Sequence, residues 1–270
     1  MTLKIAVKRI AHAVAPRRAV AISAQRARRR SHRLLKEWGL FDLNQRLVAE
    51  CGSQVLDGPF KGLTFSPLSR SEHIGPYLLG TYEAELHETW RQLLSRDYSE
   101  FIDVGANFGY YAVGLARRFP NRKVVAFDVD WWARKAVAEM SAANDTSNLS
   151  IEAWCDPSWL SLHLKERSLI ISDCEGYEGA LFCGQMVPAF TSSTFIIELH
   201  EAFVPGVTQR CLDMFARTHA AQVVETRTES LLKVRPASFT DEEVRRVSSE
   251  ARGPQQWLVL TPLTTAVASV

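Results

Sequence analysis

The sequence predicts an α/β protein built on a seven-stranded, mostly parallel sheet with helices on both faces. From about Ser99 onward, short apolar runs alternate with segments of helical periodicity. The apolar runs are nearly continuous, as in strands that are buried on both faces. Polar residues close most of these runs, and in such sheets ligands bind beyond the carboxyl ends of the strands. The pattern therefore predicts a ligand-binding edge as well as a fold class.

Three segments of different character follow each other along the chain. Residues 1–36 form a basic arm, residues 37–98 an N-terminal helical and hairpin cap, and residues 99–264 the main domain. Within the cap we expect a helix over 37–51, a hairpin over 54–66 and a helix over 82–95. The expected strands of the main domain are 101–104, 123–127, 149–154, 169–172, 194–199, 222–225 and 256–260, with helices over 109–119, 131–143 and 207–219.

The charge of the arm differs from that of the rest of the chain. Eleven of the 32 Lys and Arg residues precede Glu37, whereas all 30 acidic residues lie from Glu37 onward. A basic arm thus precedes an acidic body, and we expect the arm to be mobile. On a helix Leu3, Val7, Ile10 and Val14 would share one face. Contact with a membrane surface or a polyanion, and an organelle transit peptide, are the alternative interpretations of residues 1–36.

The cysteine pattern bears on the redox compartment. The five cysteines form no Cys-x-x-Cys pair and their number is odd, which argues against a disulfide framework or a zinc ribbon. No apolar run is long enough to span a bilayer, and the N-terminus lacks the pattern of a secretory signal. We therefore expect a cytoplasmic protein, with peripheral membrane contact through the arm as an option.

The turn after the first predicted strand is the strongest local signal. Gly105 and Gly109 allow the backbone to turn tightly and to approach a ligand, and the helix that follows points its N-terminus at that ligand. The three-glycine fingerprint of dinucleotide folds is absent, and Asp103 sits inside the strand end instead. Asp128 ends the second strand, at the spacing of an acid that accepts hydrogen bonds from ribose hydroxyls.

Several segments together resemble the FkbM-type methyltransferases, which are class I S-adenosylmethionine-dependent enzymes. The resemblance covers about 75–262 and lies in the first strand and its turn, the end of the second strand, the segment after the fourth strand, the fifth strand and a Tyr-Glu segment upstream. These are FIDVGANFGYY at 101–111, VAFD at 125–128, ISDCEGYE at 171–178, FIIELH at 195–200 and GTYEAEL at 80–86. The resemblance implies a Rossmann-like, seven-stranded sheet whose last strand is antiparallel.

The resemblance also implies positions for the cofactor. S-adenosylmethionine would have its methionine end at Asp103, Gly105 and Asn107, its ribose at Asp128 and its adenine near Asp156. The short connection between the third and fourth strands departs from the family, which weakens the adenine assignment. Further residues expected to line the cofactor site are Ala106, Gly109, Tyr110, Val129 and Asp173, with Tyr82 and Glu83 closing it.

The acceptor is expected to be a hydroxyl of a sugar or a natural-product-like small molecule. A hydroxyl reacts faster when a base takes its proton, and the candidates are His200, Asp173, Glu175 and Glu198. We expect His200 to serve best, because its ordinary pKa lies near neutrality. A divalent metal held by Asp173 with Glu198 or His200 is the alternative way to activate the hydroxyl.

Two other classes of protein compete with this interpretation. One is a nicotinamide-dependent oxidoreductase, which would need the missing glycine fingerprint. The other is a non-catalytic binding protein on the same scaffold, attached to its partner by the basic arm. The acidic body argues against a nucleic-acid substrate spread over the catalytic face.

Overall fold

A seven-stranded sheet organises the chain, with strand order β3-β2-β1-β4-β5-β7-β6. The computed structural model describes residues 15–182, 188–201, 204–226, 232–250 and 253–263. Five strands run parallel, and β7 lies antiparallel between β5 and β6. This confirms the predicted fold class, including the antiparallel last strand. The strands are β1 (Glu100–Val104), β2 (Lys123–Phe127), β3 (Leu149–Glu152), β4 (Leu169–Ser172), β5 (Thr194–Glu198), β6 (His219–Glu225) and β7 (Gln256–Pro262).

Helices connect the parallel strands and cover both faces of the sheet. Alternate side chains of β1 enter two separate cores, Phe101 on one face and Ile102 and Val104 on the other, which explains the continuous apolar run. The described helices are α1 (Pro16–Glu37), α2 (Leu40–Cys51), α3 (Gly75–Leu79), α4 (His87–Leu93), α5 (Tyr110–Arg118), α6 (Trp131–Ala143), α7 (Pro157–His163), α8 (Glu178–Phe182), α9 (Pro188–Thr191), α10 (Val207–Phe215) and α11 (Asp241–Ser248).

The cap matches its sequence prediction in part. The helix expected over 37–51 is Leu40–Cys51, and it ends at Gly52 as expected. The predicted hairpin is one antiparallel bridge between Gln54 and Thr64. The helix expected over 82–95 is a 3₁₀ turn at Ala84–Leu86 followed by His87–Leu93. It starts later because Glu83 adopts a left-handed conformation, with φ +46°, that breaks helical continuity.

The basic arm differs most from its prediction. Residues 1–14 lie outside the described residues, but Pro16–Glu37 forms a 22-residue helix that packs on the body. Val20 and Leu35 are 5% and 2% exposed, and Arg28 pairs with Asp130. Its apolar positions are few and widely spaced among the cations, which is why composition alone indicated a mobile segment. We call Pro16–Glu37 the roof helix.

The described cysteines carry free thiols. Cys155, Cys174 and Cys211 are buried and Cys51 is half-buried, whereas Cys183 lies outside the described residues. Among the helices that the structure describes, none is both long and apolar enough to cross a bilayer.

Candidate functional site

The glycine turn after β1 brings two strand ends into contact. Gly105 has φ +94°, and a Cβ at this position would lie 1.8 Å from the backbone carbonyl oxygen of Asp173. No side chain fits there, so glycine lets the first turn pack directly against the end of β4. The predicted cofactor turn and the predicted acceptor segment are therefore held together by backbone contact.

Asp128 is fixed in place by the same turn. Its Oδ2 accepts a hydrogen bond from the backbone N–H of Asn107 at 2.9 Å, and its Oδ1 accepts one from Asp130 at 2.8 Å. The backbone N–H groups of Gly105 and Ala106 donate to the carbonyl of Phe127 at 2.9 and 3.0 Å. The end of β2 is thus tied to the glycine turn, and the Asp128 carboxylate faces the cavity beside it.

A cavity of about 250 Å³ opens along these strand ends. Five of the twelve residues that the sequence predicts for the cofactor line it, and the roof helix closes its outer side through Val20 and Arg28. Arg28 Nε lies 3.0 Å from Asp130 Oδ2, and its guanidinium lies 4.9 Å from the ring centre of Trp132. The predicted residues that line this cavity are Gly105, Asn107, Asp128, Val129, Asp173 and Glu175.

A second cavity of about 40 Å³ shares Gly105, Asn107 and Asp173 with the first. The cap supplies one wall, where Tyr77 and Tyr82 stack with ring centres 3.8 Å apart. The other predicted residues of this wall and floor are Glu83, Asp103, Ala106 and Tyr110. The two cavities meet at the glycine turn, so the cap and the strand ends together enclose one elongated site.

Buried carboxylates give this site a strong negative character. Burial raises the pKa of Asp103 to about 7, and the nearby charges of Asp128 and Asp173 contribute. Burial also raises the pKa of Asp128 to about 6, against the lowering effect of its two backbone hydrogen bonds. Asp103 is 3% exposed, and among the described residues its Oδ2 has no hydrogen-bond partner. A ligand that brings positive charge or hydrogen-bond donors would relieve this arrangement.

His200 joins the ends of β4 and β5. Its Nδ1 lies 2.7 Å from Oε1 of Glu178, which is fully buried, and its Nε2 lies 3.6 Å from Oδ1 of Asp173. The backbone N–H groups of Cys174 and Gly176 donate to the same Glu178 oxygen at 3.3 and 3.1 Å. Glu178 therefore holds His200 through Nδ1, and Nε2 on the other side of the ring faces Asp173.

This geometry disagrees with the base role expected of His200. Burial alone would lower the pKa of His200. The hydrogen bond and charge of Glu178, with the charges of Asp173 and Glu198, outweigh burial and raise the pKa to about 10. His200 is then an imidazolium at neutral pH and has no free lone pair to accept a proton. Its Nε2 faces the Asp173 carboxylate instead, 3.6 Å from Oδ1.

Besides His200, three predicted site residues line neither cavity: Asp156, Glu198 and Gly109. Asp156 caps the helix Pro157–His163, where its Oδ1 accepts from the N–H of Trp159 at 2.8 Å, and Cys155 rather than Asp156 lines the large cavity. Glu198 is 2% exposed at the end of β5 and lines neither cavity. The charge of Glu198 raises the pKa of His200. Gly109 caps the N-terminus of α5.

Sequence reasoning missed Glu178 and the roof helix. The sequence analysis assigns Glu178 no role in the site, yet it holds His200 from a fully buried position. Its place in the segment 171–178, which resembles the FkbM-type enzymes, was the available signal. Val20 and Arg28 reach the cavity from far along the chain, and no local pattern marks such a contact.

Three solved structures illustrate what this chain is similar to. An rRNA methylase from Streptococcus thermophilus is 14% identical over 66% of this chain and 96% of its own, with a TM-score of 0.44. A precorrin-6y C5,15-methyltransferase from Geobacter metallireducens is 13% identical over 65% and 89%, with a TM-score of 0.43. The tomaymycin-synthesis O-methyltransferase of Streptomyces achromogenes, solved with S-adenosylmethionine, is 12% identical over 67% and 80%, with a TM-score of 0.44.

No family model matches the chain, and no curated protein matches it either. The strand order with its antiparallel β7 defines the class: the chain has the Rossmann-like fold of class I S-adenosylmethionine-dependent methyltransferases.

Proposed function

We propose that this protein is an S-adenosylmethionine-dependent methyltransferase that methylates a hydroxyl of a sugar or natural-product-like small molecule. One observation carries the proposal. Asp103, Asp128 and Asp173, from the ends of three adjacent strands, surround the glycine turn at the junction of the two cavities. S-adenosylmethionine carries a sulfonium and an ammonium group, so this negative site favours it.

The same charges argue against the oxidoreductase alternative. A nicotinamide dinucleotide places its anionic diphosphate on the glycine turn and the helix N-terminus. Here the turn faces three carboxylates instead, and each would repel a phosphate in a poorly hydrated cavity. Charge therefore separates the two cofactors more sharply than the shape of the fold does.

The two cavities suggest how the cofactor lies. The ribose hydroxyls would donate to Asp128 in the large cavity, with the adenine farther along toward Trp154 and Cys155. The methionine end would extend into the small cavity, toward Asp103, Tyr82 and Glu83. This orientation agrees with the FkbM-type resemblance of the sequence, which we retain as part of the proposal.

Asp173 is the residue best placed to act on the acceptor. When bound, S-adenosylmethionine supplies the methyl group and its sulfur is the leaving group. As the new carbon–oxygen bond forms, the acceptor hydroxyl loses its proton, and we assign that proton to the Asp173 carboxylate. Asp173 lines both cavities, and its Oδ1 lies 3.6 Å from the His200 imidazolium that orients it.

Calorimetry with S-adenosylhomocysteine and NAD⁺ tests the cofactor. We expect S-adenosylhomocysteine to bind, NAD⁺ to bind far more weakly, and Asp128→Ala to weaken the former by about 1.5–3 kcal/mol through lost charged hydrogen bonds. Asp145→Ala, on an exposed turn, is the matched control. Tight NAD⁺ binding, or an unchanged affinity in folded Asp128→Ala, would overturn the cofactor assignment.

Turnover tests the reaction itself. A coupled assay for S-adenosylhomocysteine over a panel of glycans and phenols should identify an acceptor. With it, Asp173→Asn should lower kcat by about 10²–10⁴-fold. It should also weaken the binding of S-adenosylhomocysteine, because one of the three carboxylates of the site is neutralised. Wild-type kcat in this variant would place the base elsewhere, and a folded protein that binds the cofactor yet turns over nothing in the panel would favour the non-catalytic alternative.

A divalent ion is a second way to activate the hydroxyl, favoured by one cluster. Once His200 gives up its proton, Asp173, Glu175 and His200 each offer a ligand atom within 4.8 Å of the others, and the buried Glu178 holds the far side of the imidazole. An ion such as Mg²⁺ would act there as a Lewis acid on the hydroxyl oxygen. Loss of turnover with a chelator and its recovery with Mg²⁺ would select this route, and turnover that is indifferent to chelator would select Asp173 alone.

A further inference from the structure

The outward face of the roof helix carries a continuous row of cations. Exposed residues recur along it at intervals of three or four positions, which places them on one face of an α-helix. The row extends over about 27 Å at 1.5 Å per residue. We call it the basic stripe, and its members are Arg18, Ile22, Arg26, Arg29, Arg33 and Lys36.

The basic stripe is separate from the cavity that the helix covers. Val20, Arg28 and Leu35 point the other way, into the cavity or the core. Arg28 is paired with Asp130. Within the described residues, the only ion pair of a stripe cation joins Arg33 to Glu37, 3.8 Å apart on the same helix. An exposed pair of that kind contributes little. The helix is thus anchored by one face and presents a concentrated positive field with the other.

Apolar side chains accompany this charge. Ile22, in the middle of the stripe, is 49% exposed, and Trp38, directly after the helix, is 45% exposed. Trp38 borders a groove lined by Arg245, Arg246 and one acid, Glu242, so an indole ring and a net positive charge lie just beyond the helix end. Indole rings and large aliphatic side chains set among cations are typical of surfaces that rest in the headgroup region of a bilayer.

The sequence before the helix has the same composition. Residues 1–14 contain Lys4, Lys8 and Arg9 and no acid, among large apolar residues that include Leu3, Ile5, Val7 and Ile10. A nucleic-acid arm gains its affinity from phosphate contacts and needs few such residues. An anionic lipid surface rewards both kinds of side chain.

We propose that the basic stripe, with Ile22 and Trp38, docks this protein on an anionic phospholipid surface while the roof helix keeps its place over the cavity. The acidic body then lies away from the lipid, and the arm, the roof helix and Trp38 face the headgroups. This proposal is independent of the reaction, because the stripe contributes nothing to either cavity.

Vesicle co-sedimentation of the full chain tests the proposal. We expect binding to mixed phosphatidylcholine–phosphatidylglycerol vesicles, much weaker binding to phosphatidylcholine alone, and a decline as salt is raised. The variant Arg26→Gln/Arg29→Gln/Arg33→Gln should lose about 100-fold in vesicle affinity, since each cation near an anionic surface contributes roughly fivefold. Its affinity for S-adenosylhomocysteine should stay at the wild-type value.

The control removes the same charge elsewhere. Arg96→Gln/Lys123→Gln/Arg217→Gln changes three exposed cations outside the stripe and should keep its vesicle affinity. Ile22→Gln, at constant charge, should lose about fivefold on vesicles because an apolar contact is lost. Equal losses in the two triple variants, no effect of Ile22→Gln, or displacement from vesicles by equimolar RNA would each overturn lipid docking.

Discussion

Neutralising Asp103 separates the charge of the site from its shape. Asp103→Asn keeps the size of a side chain that is 3% exposed. In the folded protein the pKa of Asp103 is raised from its ordinary value of 3.8 to about 7, chiefly by burial. The folded protein holds the Asp103 proton more tightly than the unfolded chain does. The free energy of unfolding therefore falls as pH rises from about 4 to about 7, and the full penalty applies above that range.

The size of the effect follows from the shift. At about 1.36 kcal/mol per pKa unit, the ionised group costs about 4 kcal/mol at a pH of about 8 and about 2 kcal/mol at a pH of about 5. Asp103→Asn removes this cost, so its stability relative to wild type should rise by about 2–3 kcal/mol between those pH values. An unpaired asparagine amide would lower the stability of the variant by the same amount at both pH values, so the change in relative stability between them would remain.

Denaturant unfolding at the two pH values, without cofactor, measures the difference. Asp145→Asn is the control, since Asp145 is exposed and its φ of +53° suits asparagine. The same variant should bind S-adenosylhomocysteine more weakly than wild type, because the neutral amide cannot pair with an ammonium group. Parallel stability curves for wild type and Asp103→Asn would refute the buried-charge reasoning.

Three further predictions concern the supports of the site. Gly105→Ala should lower the free energy of unfolding by at least about 3 kcal/mol, as measured with denaturant, because its Cβ meets the Asp173 carbonyl; Gly52→Ala, with positive φ but nothing within 4 Å, should lose less. Glu178→Gln should cost about 3–5 kcal/mol at neutral pH by stripping the buried His200 imidazolium of its partner, and a cost below about 1 kcal/mol would contradict the pairing. Deletion of residues 1–30 should lower both the thermal midpoint and the affinity for S-adenosylhomocysteine, since the roof is lost, and an unchanged midpoint would restore the mobile-arm interpretation.

The sheet could be predicted from sequence because its signals are local. Phe101 to Val104 forms a buried strand whose apolar run needs no partner to be recognised, and the glycine turn follows at once. The carboxyl ends of parallel strands meet at one edge of a sheet, so the strand pattern of the sequence is enough to place Asp103, Asp128 and Asp173 at that edge.

The remainder depends on contacts between distant segments. His200 looked like a base because its ordinary pKa is near neutrality, but the pKa is set by Glu178, 22 residues away, which the sequence could not place against it. The roof helix was read as mobile because its anchors, Arg28 to Asp130 and His32 to Glu72, span 102 and 40 residues. Composition reports the charge of a segment but not where the opposite charge lies.

Gly105 also explains why the methyl-donor side and the methyl-acceptor side of the proposed site should behave as one unit. Its missing side chain lets the proposed cofactor turn rest on the backbone of Asp173, whose side chain we assign to the acceptor. Asp173 Oδ1 lies 3.6 Å from His200, and His200 is held by Glu178 in the segment that directly follows β4. A change at any member of this chain of contacts should therefore disturb both binding and turnover. Changes confined to Asp128 should act on cofactor binding alone, because its partners Asn107 and Asp130 lie on the ribose side of the turn.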